Sequence, residues 1–106
     1  MVRRYDVHWV QLDPTRGSEI AKTRPCVIVS PDDINDYLST VIIIPLTSTL
    51  RNYPYRTRCH IDGKDGDIAV DQIRTVDKSR IKGKLGTLSA IEIEALKDIL
   101  NQMFCL

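Results

Sequence analysis

The chain has 106 residues, of which 42% are hydrophobic and 27% charged, and its formal net charge at pH 7 is +1. This balance predicts one globular domain over residues 1–106 and excludes both a disordered chain and a bulk polycation. The longest apolar run, residues 41–44, is too short to cross a bilayer, and the N-terminal charges precede no apolar stretch like that of a signal peptide. We therefore expect a cytoplasmic protein without membrane contact.

Five or six short segments are rich in β-branched and aliphatic residues and predict strands. They are residues 7–12, 26–30, 40–46, 55–61, 67–73 and 81–85. Pro45, near the end of the third segment, predicts an edge strand or an exit from the sheet. Turn-forming residues at 62–66 separate the fourth segment from the fifth.

Two helices are predicted from their start signals. Ser30 and Pro31 precede acidic residues, which predicts a short helix capped by Ser30. Ser89 and Glu92 form a capping box, and the longer helix that follows has one apolar face at steps of three and four. That face comprises Ile93, Leu96, Leu100 and Met103. Strands followed by one such helix favour a mainly β fold, a small, partly open antiparallel barrel closed at one end by the helix.

The cysteines are odd in number and widely spaced, and they form no paired motif. Cys26, Cys59 and Cys105 therefore predict reduced, mostly buried thiols, and we expect no metal or other cofactor. A weaker alternative is a zinc site that combines Cys59 and His60 with a distant residue.

A polar segment over residues 13–24 is long for a connector in so small a domain, and such loops are often functional. It contains Ser18 and Glu19 and ends at Arg24, which the following Pro25 restricts to an extended conformation. Arg24 either contacts a ligand or pairs with a carboxylate at the base of the next strand. The sequence alone leaves both possibilities open.

Three hydroxyl residues, Thr47, Ser48 and Thr49, follow the buried third strand. Side-chain hydroxyls at this position can hydrogen-bond a phosphate group. Alternatively, they form a turn in which a hydroxyl bonds its own backbone.

The fourth predicted strand alternates, so Arg56, Arg58 and His60 share one face, and residues 51–61 contain no acid. This stripe predicts either a phosphate-tracking groove or an ordinary solvated face. Asp71 and Gln72, near the end of the fifth segment, carry hydrogen-bond donors and acceptors that suit the edges of bases. Alternatively, they are only the ordinary polar residues of an edge strand.

Taken together, four motifs and the final amphipathic helix resemble the MazF/PemK/Kid toxins in order and spacing. The motifs are W-V-Q-L-D-P-T-R-G-S-E from Trp9, T-R-P-C-V-I-V-S-P from Thr23, I-P-L-T-S from Ile44 and V-D-Q-I-R-T from Val70. The resemblance covers nearly the whole chain. It implies an SH3-like, partly open β-barrel, a homodimer and an antitoxin partner. It also implies sequence-specific cleavage of single-stranded messenger RNA that leaves a 2′,3′-cyclic phosphate and a free 5′-hydroxyl.

Within that resemblance, the family's catalytic Arg and Thr correspond to Arg24 and Thr47, and its D-Q motif to Asp71 and Gln72. Some members have a His where this chain has Ser18, and some have an Arg where it has Ala69, so the mechanism that uses those groups is not implied. The remaining substrate-binding candidates are Ser18, Glu19, Ser48, Arg56, Arg58 and His60.

This chemistry is consistent with the residue types. RNA supplies its own nucleophile, the 2′-hydroxyl, so the protein needs neither a nucleophilic side chain nor a metal. Arg24 can hold two oxygens of the pentacovalent phosphorane with its planar fork, and Thr47 can hold the scissile phosphate. Glu19 and His60 are the candidates for the general base.

Two other functions fit parts of the sequence. A non-catalytic RNA-binding barrel needs the arginine stripe but not the pair of Arg24 and Thr47. A protein-targeting toxin similar to the gyrase poison CcdB inhibits a topoisomerase and cuts no RNA. An RNA cleavage assay in EDTA separates the three.

Overall fold

The computed structural model describes residues 2–105, which form seven strands and two helices. The strands are β1 (Asp6–Gln11), β2 (Thr23–Ile28), β3 (Thr40–Thr47), β4 (Arg56–Ile61), β5 (Lys64–Ala69), β6 (Arg74–Asp77) and β7 (Ile81–Thr87). The helices are α1 (Asp32–Tyr37) and α2 (Ala90–Phe104), and neither is long and apolar enough to cross a membrane. Met1 and Leu106, which the predicted domain includes, lie outside the described residues.

The strands form a curled antiparallel sheet in the order β4-β5-β3-β2-β1-β7, with β6 also paired to β3. The ends of this order approach each other, because Ile61 of β4 packs against Gly86 of β7. The result is a half-barrel with a C-terminal helix, which confirms the predicted mainly β, partly open antiparallel fold.

The central strands are buried on both faces because their alternate residues enter two apolar clusters. In β3, Ile44 and Leu46 belong to an inner cluster, whereas Val41 and Ile43 belong to an outer cluster. Leu96 of α2 is fully buried in the inner cluster, and burial of one such side chain contributes roughly 1.5–3 kcal/mol. The other members of the predicted apolar face of α2 pack beside it: Ile93, Leu100 and Met103.

The predicted capping box of α2 is present, and it also attaches the helix to the sheet. The Ser89 hydroxyl accepts from the Glu92 amide at 3.2 Å, and one Glu92 oxygen accepts from the Ser89 amide at 2.8 Å. The second Glu92 oxygen accepts from the His60 amide in β4 at 2.7 Å. One carboxylate thus caps the helix and fixes its position on the strand.

The cap predicted for α1 is wrong. Pro31 occupies the N-cap position, and the helix has no side-chain cap. Ser30 is instead buried, where its hydroxyl donates to the Asn35 side chain and accepts from the Ile42 amide at 3.1 Å. Because the hydroxyl serves this buried network, it ties α1 to β3 and leaves the first turn of the helix uncapped.

The single strand predicted over residues 67–73 is also wrong, because the structure divides this segment. β5 begins earlier, at Lys64, since only Asp62 and Gly63 adopt the positive φ angles of the turn. A short 3-10 turn at Val70–Gln72 then separates β5 from β6. The turn moves the chain along the edge of β3, so that β5 pairs with the end of β3 and β6 with its beginning.

Pro45 lies within a central strand, so the predicted edge position is wrong. On one side β3 pairs with β2, where Pro45 is opposite Cys26. On the other side β3 pairs with β6 through Ile43 and with β5 from Leu46 onward. Pro45 falls in the gap between these two partners, where the ladder is interrupted and the missing N–H has least effect.

Candidate active site

Arg24 lies on strand β2, not on the loop that the sequence predicted. The strand begins at Thr23, and Arg24 pairs with Val10 of β1. Its Nε donates to the Ala21 carbonyl at 3.2 Å, and no carboxylate within the described residues forms an ion pair with it. The structural ion pair that the sequence left open is therefore not formed in this part of the chain, and the terminal nitrogens of Arg24 are available to a ligand.

Thr47 ends β3 and lies near Arg24 through the strand register. Cys26 is opposite Pro45, and continuing this register by two residues brings Arg24 opposite Thr47. The Thr47 hydroxyl oxygen accepts from the Thr49 amide at 3.2 Å, which is the turn bond that the sequence left open. Because this bond uses only a lone pair of the oxygen, the O–H remains able to donate to a phosphate.

Arg24, Thr47 and Ser48 line one cleft of about 200 Å³, called here the Arg24 cleft. The turn between β4 and β5 and the start of β5 also line it, and Gly66 of β5 lies against the Thr47 carbonyl. A Cβ at Gly66 would lie 3.3 Å from that carbonyl oxygen, so glycine allows the close approach of β5 to the end of β3. The cleft combines an arginine without an acidic partner and two hydroxyl groups.

A second, more open cleft of about 520 Å³ meets the first at Thr47 and is called here the loop cleft. Of the residues that the sequence singled out, it is lined by Ser18, Thr47, Arg56, Asp71 and Gln72. Glu19 lines an adjoining cleft together with Ser18 and Gln72. The structure thus gathers most of the candidates around Thr47, whereas Arg58 and His60 line neither the Arg24 cleft nor the loop cleft.

The amide of Gln72 is engaged with the loop at residues 13–22. Its oxygen accepts from the Ile20 amide at 3.0 Å, and its nitrogen donates to the Ser18 carbonyl at 3.2 Å. Both ends of the side chain therefore hold the loop against the turn that follows β5. In this conformation Gln72 shapes the loop cleft, and one N–H of its amide remains available to a ligand.

The stripe of Arg56, Arg58 and His60 on β4 is charge-compensated. Each side chain pairs with an acid from β5 or the turn after it: Arg56–Asp71 at 3.0 Å, Arg58–Asp67 at 2.8 Å and His60–Asp65 at 2.7 Å. The hydrogen bonds that Arg56 donates to the Asp71 carboxylate raise the pKa of Arg56 above its usual range. Because Arg56, Arg58 and His60 each have an acidic partner, this face is less basic than the 51–61 segment alone indicates.

The loop before β4 adds residues that the sequence analysis missed. Tyr53 is half exposed, and the guanidinium groups of Arg51 and Arg56 lie over its ring, 5.5 and 4.9 Å from the centroid. All three line the loop cleft. An aromatic side chain between arginines, visible in the sequence as R-N-Y-P-Y-R, is typical of surfaces that stack nucleic-acid bases.

Residues 3–104 match the family of PemK-like, MazF-like toxins of type II toxin–antitoxin systems. The chain belongs to this family. A relative, the endoribonuclease MazF of Staphylococcus epidermidis, is 39% identical over 108 residues, which cover 93% of this chain and 90% of the relative.

Two solved structures confirm the PemK/MazF fold. The crystal structure of MazF from Deinococcus radiodurans has a TM-score of 0.86 at 23% identity, covering 98% of this chain and 96% of that one. A mycobacterial endoribonuclease in complex with its cognate antitoxin has a TM-score of 0.84 at 22% identity, covering 100% and 97%. At these identities the likeness establishes the fold.

The two candidate bases of this PemK/MazF-like toxin lie outside the Arg24 cleft. One Glu19 oxygen accepts from the Arg16 amide at 2.6 Å, within its own loop. His60 is exposed, and its ring is held by Asp65 at 2.7 Å. Of the two, Glu19 is closer in the chain to Arg24 and lies beside the loop cleft, which Thr47 lines.

The thiols of the toxin are free, as predicted, and two of the three are buried. Burial raises the pKa of both Cys26 and Cys59 to about 12, so both stay protonated and unreactive near neutral pH. The alternative zinc site is not assembled, because residues 2–105 contain no group of three or more His, Cys, Asp or Glu side chains placed to hold a metal.

Proposed function

We propose that this protein is the toxin of a toxin–antitoxin pair, an endoribonuclease that cleaves single-stranded messenger RNA at a specific sequence without a metal ion. The observation that carries the proposal is the cleft where Arg24, free of any ion pair within residues 2–105, meets Thr47. It is supported by membership of the toxin family and by a relative, 39% identical, that is an endoribonuclease.

In the proposed reaction the 2′-oxygen of the RNA attacks the neighbouring phosphorus, and the bond from phosphorus to the 5′-oxygen breaks. The proton of the 2′-hydroxyl passes to a base, and the leaving 5′-oxygen takes up a proton. Arg24 donates two hydrogen bonds to the non-bridging oxygens, where negative charge develops in the transition state. A donor of this kind contributes roughly 3–4 kcal/mol to catalysis.

Thr47 has a positioning role in this proposal. Its hydroxyl donates to the scissile phosphate, while its oxygen accepts the Thr49 amide and so has a fixed orientation. Glu19 is the preferred base, because its exposed loop leads directly to Arg24 and adjoins the loop cleft. For Glu19 to reach the 2′-hydroxyl, its bond to the Arg16 amide has to open when RNA binds.

The proposed partners are a cognate antitoxin and a second copy of the chain, in the cytoplasm. A structural neighbour is bound to its antitoxin, which supports the first. A two-fold homodimer with the β4 faces near the interface extends the RNA surface beyond one short chain. Light scattering after gel filtration is expected to give twice the monomer mass of 12.1 kDa at micromolar concentration, and a monomer contradicts the dimer.

The test of the function is incubation of the purified protein with single-stranded RNA in excess EDTA. We expect cuts at a short recurring sequence, with 2′,3′-cyclic phosphate and 5′-hydroxyl ends. Activity lost in EDTA and restored by a divalent ion contradicts the metal-free mechanism. Binding without cleavage supports the non-catalytic barrel, and inhibition of gyrase with intact RNA supports the CcdB-like function.

A further inference from the structure

Trp9 is the only tryptophan of the chain and has no role in the site described so far. It lies on β1 opposite Pro25 of β2, its side chain is 39% exposed, and it lines the Arg24 cleft. Two residues earlier on the same strand, Val7 belongs to the inner cluster. Trp9 therefore continues the inner face of the half-barrel to the place where that face opens to solvent.

The walls beside Trp9 are mainly apolar. Pro25, Leu46, Ile61 and Leu85 line the same cleft, and the last three belong to the inner cluster or pack against it. Together with the indole they form an apolar part of the cleft, called here the slot, which suits an aromatic ring better than a hydrated phosphate.

The mouth of this slot is polar. Asp62, in the turn between β4 and β5, and Lys64, at the start of β5, line the cleft, and neither side chain has a hydrogen bond or an ion pair within the described residues. A carboxylate without a partner at the end of an apolar slot can accept a hydrogen bond from the edge of a ring held inside it. The exocyclic amino groups of nucleobases are donors of this kind.

The slot and the proposed phosphate site belong to one cleft. By the two-residue period of a strand, Arg24 and Thr47 share the opposite side of the sheet from Trp9, and all three line one cleft at the rim. A nucleotide with its phosphate at the rim and its base in the slot would therefore bend around the ends of β2 and β3.

We propose that Trp9 is the stacking platform for the base of a nucleotide next to the scissile phosphate, and that Asp62 accepts a hydrogen bond from the amino group of that base. This inference rests on the proposed endoribonuclease function and adds a specificity-determining subsite to it. It predicts that the base at this position carries an amino group, as adenine, cytosine and guanine do and uracil does not.

The kinetic test compares Trp9→Ala, Trp9→Phe and the control Tyr37→Ala, which changes an aromatic residue on α1 that is 90% exposed. Trp9→Ala is expected to lower kcat/KM roughly 5- to 100-fold, the usual effect of losing one base stack. Trp9→Phe keeps most of the activity, because it keeps a stacking ring, and Tyr37→Ala matches wild type. Asp62→Asn is expected to relax the preference for an amino base at one position. Wild-type kinetics for folded Trp9→Ala overturn the proposal.

A binding measurement uses the fluorescence of Trp9 itself, since the chain has no other tryptophan. The probe is a 2′-O-methyl RNA of the mapped cut sequence, which cannot be cleaved. We expect quenching that disappears when one nucleotide next to the cut is made abasic. Binding without quenching overturns the proposal, as does a Trp9→Ala variant that loses antitoxin binding but cleaves RNA normally. If wild type leaves RNA intact, the proposed function fails whatever the fluorescence shows.

Discussion

Arg24→Ala is expected to lose roughly 100-fold or more of the single-turnover cleavage rate while remaining folded. The loss follows from the transition state, whose charge Arg24 stabilises, since no carboxylate of residues 2–105 forms an ion pair with this guanidinium. Stability changes little, because the exposed side chain makes one hydrogen bond, to the Ala21 carbonyl. Arg24→Lys keeps the charge but loses the bidentate fork, so it is expected to recover only part of the rate.

The matched control is Arg16→Ala, which removes another exposed arginine from the loop that leads to Arg24. Its rate is expected to stay near that of wild type. Thr47→Ala is expected to lose less rate than Arg24→Ala, since it removes one neutral hydrogen bond. Melting temperature and cleavage are measured on the same preparations. Near-normal turnover by folded Arg24→Ala ends the assignment of Arg24 as the catalytic residue.

Asp67→Ala is expected to lower the melting temperature by about 10 °C, the largest stability effect among the site variants. The carboxylate is buried, and it accepts from Nε of Arg58 at 2.8 Å and from the Arg51 amide at 3.0 Å. Its removal leaves both donors unpaired, which costs roughly 2 kcal/mol after allowance for the half-exposed Arg58. For a domain of this size, each kcal/mol corresponds to roughly 4–8 °C.

The control for Asp67 lies two residues earlier on the same strand. Asp65 pairs with His60 across β4, but both side chains are exposed, so Asp65→Ala is expected to change stability little. Because Asp67 also holds the loop of Arg51 and Tyr53, its alanine variant is expected to raise KM for RNA at temperatures where it is folded. Thermal melts by circular dichroism check the first effect. Equal melting temperatures for the two variants contradict the role given to Asp67.

The parts of the fold that the sequence predicted depend on local chemistry. The capping box of Ser89 and Glu92 and the apolar face of α2 each lie within one short segment, so residue spacing was enough. The failures depend on pairing between distant segments. The place of Pro45 in a central strand depends on where β3 changes partner from β6 to β5, and no residue near Pro45 encodes that change.

In the candidate site, too, the contacts between distant segments could not be predicted from the sequence. The roles of Arg24 and Thr47 came from the family resemblance, and the structure adds that both residues line one cleft. The pairing of acids with the arginine stripe was not predicted, because the acids lie on β5 and beyond, and the register of β4 with β5 decides which side chains meet. The sequence analysis gave Trp9 no role of its own, because aromatic residues are common in strands. Only the shape of the sheet shows that Trp9 is partly exposed and lines a cleft.

The central claim is that the RNA supplies its own nucleophile and that Arg24 stabilises the charge this attack creates. The most direct test places a single 2′-deoxynucleotide on the 5′ side of a mapped cut and measures cleavage in excess EDTA. We expect no cleavage at that position, with unchanged rates at unmodified sites in the same strand, because the attacking oxygen is absent only there. Cleavage at the deoxy position at a rate near that of the unmodified RNA contradicts the mechanism.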